Sequence, residues 1–210
     1  VDVRLRQALV DDADPLARLY AREREFLTPF EPDRPPAFFT PAGQREALRI
    51  TETMRATGAG ERWLILADGE LVGVVALANV SRGAFQNATL GYWVAQGHNG
   101  RGVATRAVGL ATGLVFGTLG LHRVEASTLV DNVGSRRVLA RNGFRLCGLS
   151  PRYLHIGGAW RDHVHLARTA EDDGAPVEGV EEQLAELLRL MGPRDHAGVA
   201  ASGRSARRSP

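Results

Sequence analysis

A single mixed α/β (α+β) domain is what the sequence predicts. Strand-like and helix-like patterns alternate along the first 170 residues with no internal repeat. The 210 residues, 44% of them apolar, suffice for one well-buried core and would be stretched over two. Asp68-Gly69, set between two apolar runs, is a strong hairpin signal and brings antiparallel pairing into the sheet.

Residues 1–8 alternate apolar and polar as a first strand. Asp11-Asp12-Ala13-Asp14-Pro15 then supplies cap residues and an early proline for a helix to about Glu25. Phe26-Leu27-Thr28-Pro29-Phe30-Glu31-Pro32, with Pro35, Pro36 and Pro41 behind it, reads as a loop too apolar to be an idle linker. A helix over 42–56 stops at Gly58 and Gly60, and strands over 63–67 and 71–80 flank the hairpin turn. Residues 88–96 make the next strand, 103 to about 118 a helix, and 122–130 a β-rich run. Asp131-Asn132 caps a short helix to Arg141 that stops at Asn142-Gly143. Three strands, 144–149, 152–156 and 159–167, close the main unit, the last two joined at Gly157-Gly158.

Acidic and turn-forming residues over 171–179 mark a boundary. Beyond it Val180, Leu184, Leu187, Leu188 and Met191 are spaced as an amphipathic helix ended by Gly192-Pro193. The expected division is therefore 1–170, 171–192 and 193–210, the last rich in Ser, Gly, Ala and Arg and expected to be disordered.

Composition removes several functions. All 26 basic residues are arginine, so neither a P-loop lysine nor a Schiff-base lysine is available. Residues 193–210 hold four arginines and one acid, which leaves 22 arginines against 23 acids elsewhere. The basic pI of 9.2 is thus largely a tail property and weak support for a nucleic-acid surface. A nucleic-acid partner is not expected. The lone Cys147 excludes an intrachain disulfide and any multi-cysteine metal site. No apolar run spans a bilayer and the opening residues lack a secretion signal's apolar core, so a cytoplasmic protein without a membrane partner is expected.

The most informative stretch is Gly97-His98-Asn99-Gly100-Arg101-Gly102-Val103-Ala104-Thr105-Arg106, where a strand runs into a helix. Such a turn exposes several backbone N–H groups at a helix N-terminus, and glycines let an anion approach them. Arg101 and Arg106 add charge-assisted donors. A P-loop is excluded by Gly102-Val103-Ala104. A dinucleotide site fits loosely: the third small residue is Thr105, and Glu125 falls inside its strand rather than at the strand end. Coenzyme A is the third ligand.

The wider pattern decides for it. Asn99-x-x-Gly102-x-Ala104 after a strand resembles the pyrophosphate-binding motif of the GNAT acyltransferase superfamily, with Asn99 where Gln or Arg is usual. Asn132-Val133-Gly134-Ser135 running to Gly143-Phe144 is similar to that superfamily's second signature. Phe26 to Pro32, Asn79 to Phe85, Leu90-Gly91-Tyr92 and Tyr153 to His163 resemble segments of its RimJ/RimL branch, the ribosomal-protein N-terminal acetyltransferases, and its RimJ group above all. The resemblance covers roughly residues 3–168. It implies a GNAT fold, a mixed and mostly antiparallel twisted sheet flanked by helices, with acetyl-CoA as co-substrate and no metal. Tyr92, Trp93 and Val94 are then expected to offer strand backbone to the pantetheine and acetyl carbonyl. Gly100, Arg101, Gly102, Val103, Ala104 and Thr105 would cradle the pyrophosphate, Asn132 would bond the pantetheine arm, and Ser135 would point at the thioester sulfur. Many superfamily members carry a tyrosine four residues after that serine as proton donor; here Leu139 stands there.

Attack of an amine on a thioester needs near-attack geometry, an oxyanion donor and removal of the ammonium proton. Ser135 is the candidate donor to the departing sulfur, against the alternative of a first-turn serine that caps its own backbone. Glu125 is the candidate base, against pairing with an arginine such as Arg123. Glu31 is a second candidate, with solvent exposure expected. His98 beside the turn is expected to touch phosphate or to face solvent; His163 and His165 alternating on one strand, Cys147, Trp93 and Trp160 read as structural first. The expected activity is acetylation of a protein N-terminal α-amino group. Acetylation of a small amine or antibiotic, or a non-catalytic acyl-CoA-binding regulator, are the alternatives. A monomer or homodimer is expected.

Overall fold

The computed structural model describes residues 1–192; the expected disordered tail, 193–210, lies outside the described residues. Its strands are β1 (Val3–Gln7), β2 (Glu61–Ala67), β3 (Glu70–Ser81), β4 (Asn87–Val94), β5 (Arg123–Leu129), β6 (Arg145–Ile156) and β7 (Ala159–Thr169). Its helices are α1 (Ala13–Arg22), α2 (Arg24–Leu27), α3 (Pro41–Ala56), α4 (Val103–Gly113), α5 (Val133–Ala140) and α6 (Val180–Met191). The strands form one sheet in the order β1-β2-β3-β4-β5-β7-β6. Among the described residues β4 with β5 is the one parallel pair.

Each face of the sheet buries a different cluster. Ile65, Val75, Leu90, Val124 and Leu166 meet Val103, Ala107, Ala111 and Val115 of α4 and its extension on one side. Leu64 and Val74 meet Leu16, Tyr20 and Leu48 of α1 and α3 on the other. This is the alternation a strand buried on both faces requires. The helix α6 adds Val180 and Leu184 to the first cluster, so its apolar stripe is met by the main core. Among the described residues no helix is long and apolar enough to cross a membrane.

Most element boundaries fall within a few residues of expectation, and the Asp68-Gly69 turn takes positive φ at both residues, as a tight hairpin demands. Three elements differ from expectation. The first helix breaks at Glu23, whose carboxylate turns away to accept the Gln96 N–H at 2.9 Å. The helix expected to reach residue 118 is α-helical only to Gly113 and finishes as a wider π turn over Leu114–Thr118. The strands expected at 144–149 and 152–156 are one strand, β6, which passes Pro151 by a register shift between Ser150 and Leu154, with Arg152 at φ 49°.

Candidate active site

The site begins where β4 and β5 part. They pair only at Asn87↔Arg123, Ala88↔Val124 and Thr89↔Glu125, although β4 runs on to Val94 and β5 to Leu129. Past Thr89 the two strands edge an open gap. The Ala95 N–H donates to the Val72 carbonyl at 2.7 Å, in register with the Val94↔Gly73 pairing. In an antiparallel ladder that parity turns the peptide groups of Trp93 to β3 and those of Tyr92 and Val94 to the gap. Trp93, expected to lend backbone with its neighbours, therefore differs from them: a Cβ on Gly73 would collide with the Trp93 carbonyl. Its indole instead donates to the Tyr20 hydroxyl at 3.1 Å on the opposite face.

At the end of β4 the chain makes one 3-10 turn, Gln96–His98, and enters α4. Gly100 and Gly102 take φ of 74° and 78°, and a Cβ on either would meet nothing within 4 Å. The glycines thus serve backbone conformation and an unobstructed approach to the amides, not packing. Asn99, Gly100, Arg101 and Gly102 are exposed. No side chain caps α4, which leaves the first-turn amides at Val103, Ala104 and Thr105 without intrahelical partners. By contrast α3 is capped by Thr40 and α5 by Asn132. An uncapped helix start with two left-handed glycines is a cradle for pyrophosphate oxygens.

Across the gap, Asn132 Oδ1 accepts the Ser135 N–H at 3.0 Å, and this cap role leaves its amide NH2 for a ligand. Ser135 does not cap its own backbone. Its Oγ lies 2.9 Å from the Tyr92 hydroxyl, which donates to the Ser135 carbonyl at 3.1 Å. Burial pushes the Tyr92 phenol far above its ordinary pKa, against the Ser135 hydrogen bond, so it stays protonated. Leu139 is fully buried in the core. The hydroxyl that stands beside Ser135 is thus Tyr92 on β4, which the sequence reading used only for its backbone. Period-two alternation placed Tyr92 with Leu90 but said nothing of what it meets across the gap.

Glu125 lies apart from this pair. Its register partner Thr89 shares parity with Trp93, which places it on the opposite sheet face from Tyr92. Its Oε1 accepts from Arg123 Nε at 2.7 Å, the arginine pairing weighed against a catalytic role. On the same face Ser127 Oγ lies 2.8 Å from His165 Nδ1, and the Tyr153 ring meets His163 at a tilt and His165 edge-to-face. Burial lowers the pKa of both histidines. Cys147 is exposed, with Arg123 Nη2 at 3.5 Å from its sulfur. Glu31, expected in solvent, is largely covered: 22% of its side chain is exposed.

Comparison with known proteins gives a consistent picture. The acetyltransferase (GNAT) domain model matches residues 2–145. The chain is 36% identical over 173 residues to the probable N-acetyltransferase YjcK of Bacillus subtilis (strain 168), covering 80% of this chain and 94% of that one. It is 35% identical to the ribosomal protein uS5-alanine N-acetyltransferase of Escherichia coli (strain K12), over 80% of this chain and 89% of that one. Mycobacterium smegmatis RimJ, solved in complex with CoA-disulfide, superposes with a TM-score of 0.79 at 34% identity, covering 88% of each chain.

Proposed function

The chain belongs to the GNAT acetyltransferase family, in its RimJ/RimL branch, and from that premise we propose that it transfers acetyl from acetyl-CoA to the N-terminal α-amino group of a protein. The observation that carries this reading is the β4–β5 gap, with the uncapped start of α4 at its end and Tyr92–Ser135 at its side. A relative named for ribosomal protein uS5-alanine and a neighbour held with CoA-disulfide support the acceptor class and the co-substrate, and with them a cytoplasmic setting.

Acetyl-CoA supplies an activated acyl carbon whose thiol leaves readily near neutral pH. The residues then divide the work. The amides of Gly100 to Thr105 receive the pyrophosphate, and Arg101 adds charge. The Tyr92 and Val94 peptide groups, free on the gap side, hold the pantetheine and polarise the acyl oxygen. The Asn132 NH2 meets the pantetheine amides. Ser135 donates a hydrogen bond to the departing sulfur, Tyr92 holds the serine from behind, and the thiolate takes its proton from solvent.

The test is thiol release from acetyl-CoA with an Ala- or Ser-starting peptide, the same peptide N-terminally blocked, and a panel of small amines. Release with the free peptide and none with the blocked one is expected. Release with small amines alone would assign a small-molecule acceptor; acetyl-CoA binding with no release from any acceptor would assign a binding protein.

A further inference from the structure

Glu31 follows the short helix α2, and its N–H closes the turn on the Leu27 carbonyl at 3.1 Å. Its carboxylate looks into a cavity of about 130 Å³ that Tyr20, Arg24, Thr28, Asp33, Arg34 and Phe39 share with it. The β6–β7 hairpin closes over the same loop: His155 Nδ1 lies 3.8 Å from Asp33, and a Cβ on Gly157 would stand 4.0 Å from the Thr28 carbonyl. Tyr20, which lines the cavity, also accepts the Trp93 indole N–H at 3.1 Å, so a hydrogen-bonded ring pair ties the cavity wall to β4.

The carboxylate is unusual in its partners. Its nearest cation is Arg34 Nε at 3.9 Å, too far for a hydrogen bond, and among the described residues no hydrogen bond reaches it. Arg34 is drawn onto the Phe38 ring instead, 4.8 Å from its centroid, and Arg24 onto Phe39. Arg62 approaches from β2, and its Nη1 is buried without a partner. The groups that face Glu31 are thus Tyr20 from α1, Arg24 from α2, Asp33 and Arg34 from its own loop, and Arg62 from β2. Burial raises the Glu31 pKa against the pull of Arg34 and Arg62. A covered carboxylate with no donor, open to a cavity, lacks the charge-assisted N–H that would stabilise it.

We infer that Glu31 is the seat of the acceptor's α-ammonium group and the base that takes its proton. The inference rests on the acetyl-transfer reading and names the amine side of that same site. In the step, one ammonium proton passes to a Glu31 oxygen and frees the nitrogen lone pair. The nitrogen bonds to the thioester carbonyl carbon, the carbon–sulfur bond breaks, and its electron pair leaves on sulfur, which accepts a hydrogen bond from Ser135 and takes its proton from solvent. The second nitrogen proton leaves to solvent as the amide forms, and Glu31 discharges to solvent. A carboxylate whose pKa is raised by burial is a stronger proton acceptor than one in open solvent.

The test compares wild type, Glu31→Gln and Glu31→Asp for thiol release with acetyl-CoA and an Ala-starting peptide from pH 6 to 9. Melting temperature and acetyl-CoA affinity serve as controls for folding and for the other half of the site. Glu31→Gln is expected to lose about 10²-fold or more in kcat/KM, with less loss at high pH where the amine is already free, and Glu31→Asp to recover part of it. A folded Glu31→Gln protein with wild-type kcat/KM and an unchanged pH profile would overturn the inference. If wild type works only on small amines, the same comparison is run on the amine it accepts. Loss in the variant then upholds Glu31 while the N-terminal acceptor reading fails, and equal rates overturn Glu31.

Discussion

Tyr92 and Ser135 lie 43 residues apart and share a 2.9 Å hydrogen bond across the gap between β4 and the start of α5. The phenol's burial keeps it protonated, and its second contact, to the Ser135 carbonyl, fixes the ring. The serine is thus held from behind by the phenol. Ser135→Ala is expected to lower kcat by roughly tenfold to a hundredfold, at the modest end of general-acid effects because thiolate leaves easily. Tyr92→Phe is expected to lower it less. The double variant should match Ser135→Ala, since Tyr92 acts through the serine it holds; steady-state kcat with saturating acetyl-CoA measures this, and additive losses would argue for an independent role of Tyr92.

The glycine turn makes a different prediction, because backbone conformation and access are both at stake. A Cβ on Gly102 would meet no atom within 4 Å, so Gly102→Ala creates no clash in the free protein. At φ 78° the alanine still costs roughly 1–2 kcal/mol of backbone strain. The methyl would also stand at the mouth of the amide cradle. Acetyl-CoA affinity is therefore expected to fall by more than the loss of stability accounts for, with Kd raised about tenfold or more. Calorimetric titration beside a thermal melt separates the two effects; an unchanged Kd would remove the turn from the binding site.

How much of this the sequence disclosed depends on the range of the interaction. The strand-to-helix glycine turn, the Asn132 cap and the hairpin at Asp68-Gly69 are local, set by φ preferences and short spacings, and all three are found where the residues put them. Tyr92 and Glu31 depend on contacts between segments far apart. Whether Tyr92 faced α5 followed from strand order and the early parting of β4 and β5, which no local pattern encodes. Glu31 reads as a solvent residue by composition, and part of what faces it comes from distant segments, Tyr20 of α1 and Arg62 of β2. The continuity of β6 past Pro151 likewise depends on its pairing with β7.

A structural prediction concerns α6, which ties itself to the helix that carries Ser135. Arg136 is 4% exposed and its Nε and Nη2 donate to Glu181 of α6 at 2.9 and 2.6 Å, while Nη1 donates to the Val130 carbonyl. Removing one member of a fully buried pair costs about 3–5 kcal/mol. Glu181 is 42% exposed, so water screens part of that charge. Glu181→Ala is expected to destabilise by about 1–2 kcal/mol, below the buried-pair range. Arg136→Ala should cost more, since it also deletes packing and the Val130 contact. Urea unfolding of the two variants gives the order, and the reverse order would show that α6 contributes little through this pair.

The last prediction follows from the sign of the Glu31 shift. Burial raises its folded-state pKa above the unfolded value, so between the two the folded protein holds the extra proton. Stability in that window falls as pH rises, because ionising Glu31 is harder in the fold than in the open chain. Its contribution is present below the ordinary carboxylate range and is lost as pH climbs through the raised pKa. Glu31→Gln keeps the shape and removes the charge, so it is expected to melt higher than wild type at pH 7. The difference should shrink toward pH 4, where Glu31 is itself neutral. Thermal melts of both proteins across that range test the sign, and a variant less stable than wild type at pH 7 would mean that Arg34 and Arg62 outweigh burial. A site residue that costs stability where it works is the trade-off expected of a base kept covered for an incoming cation.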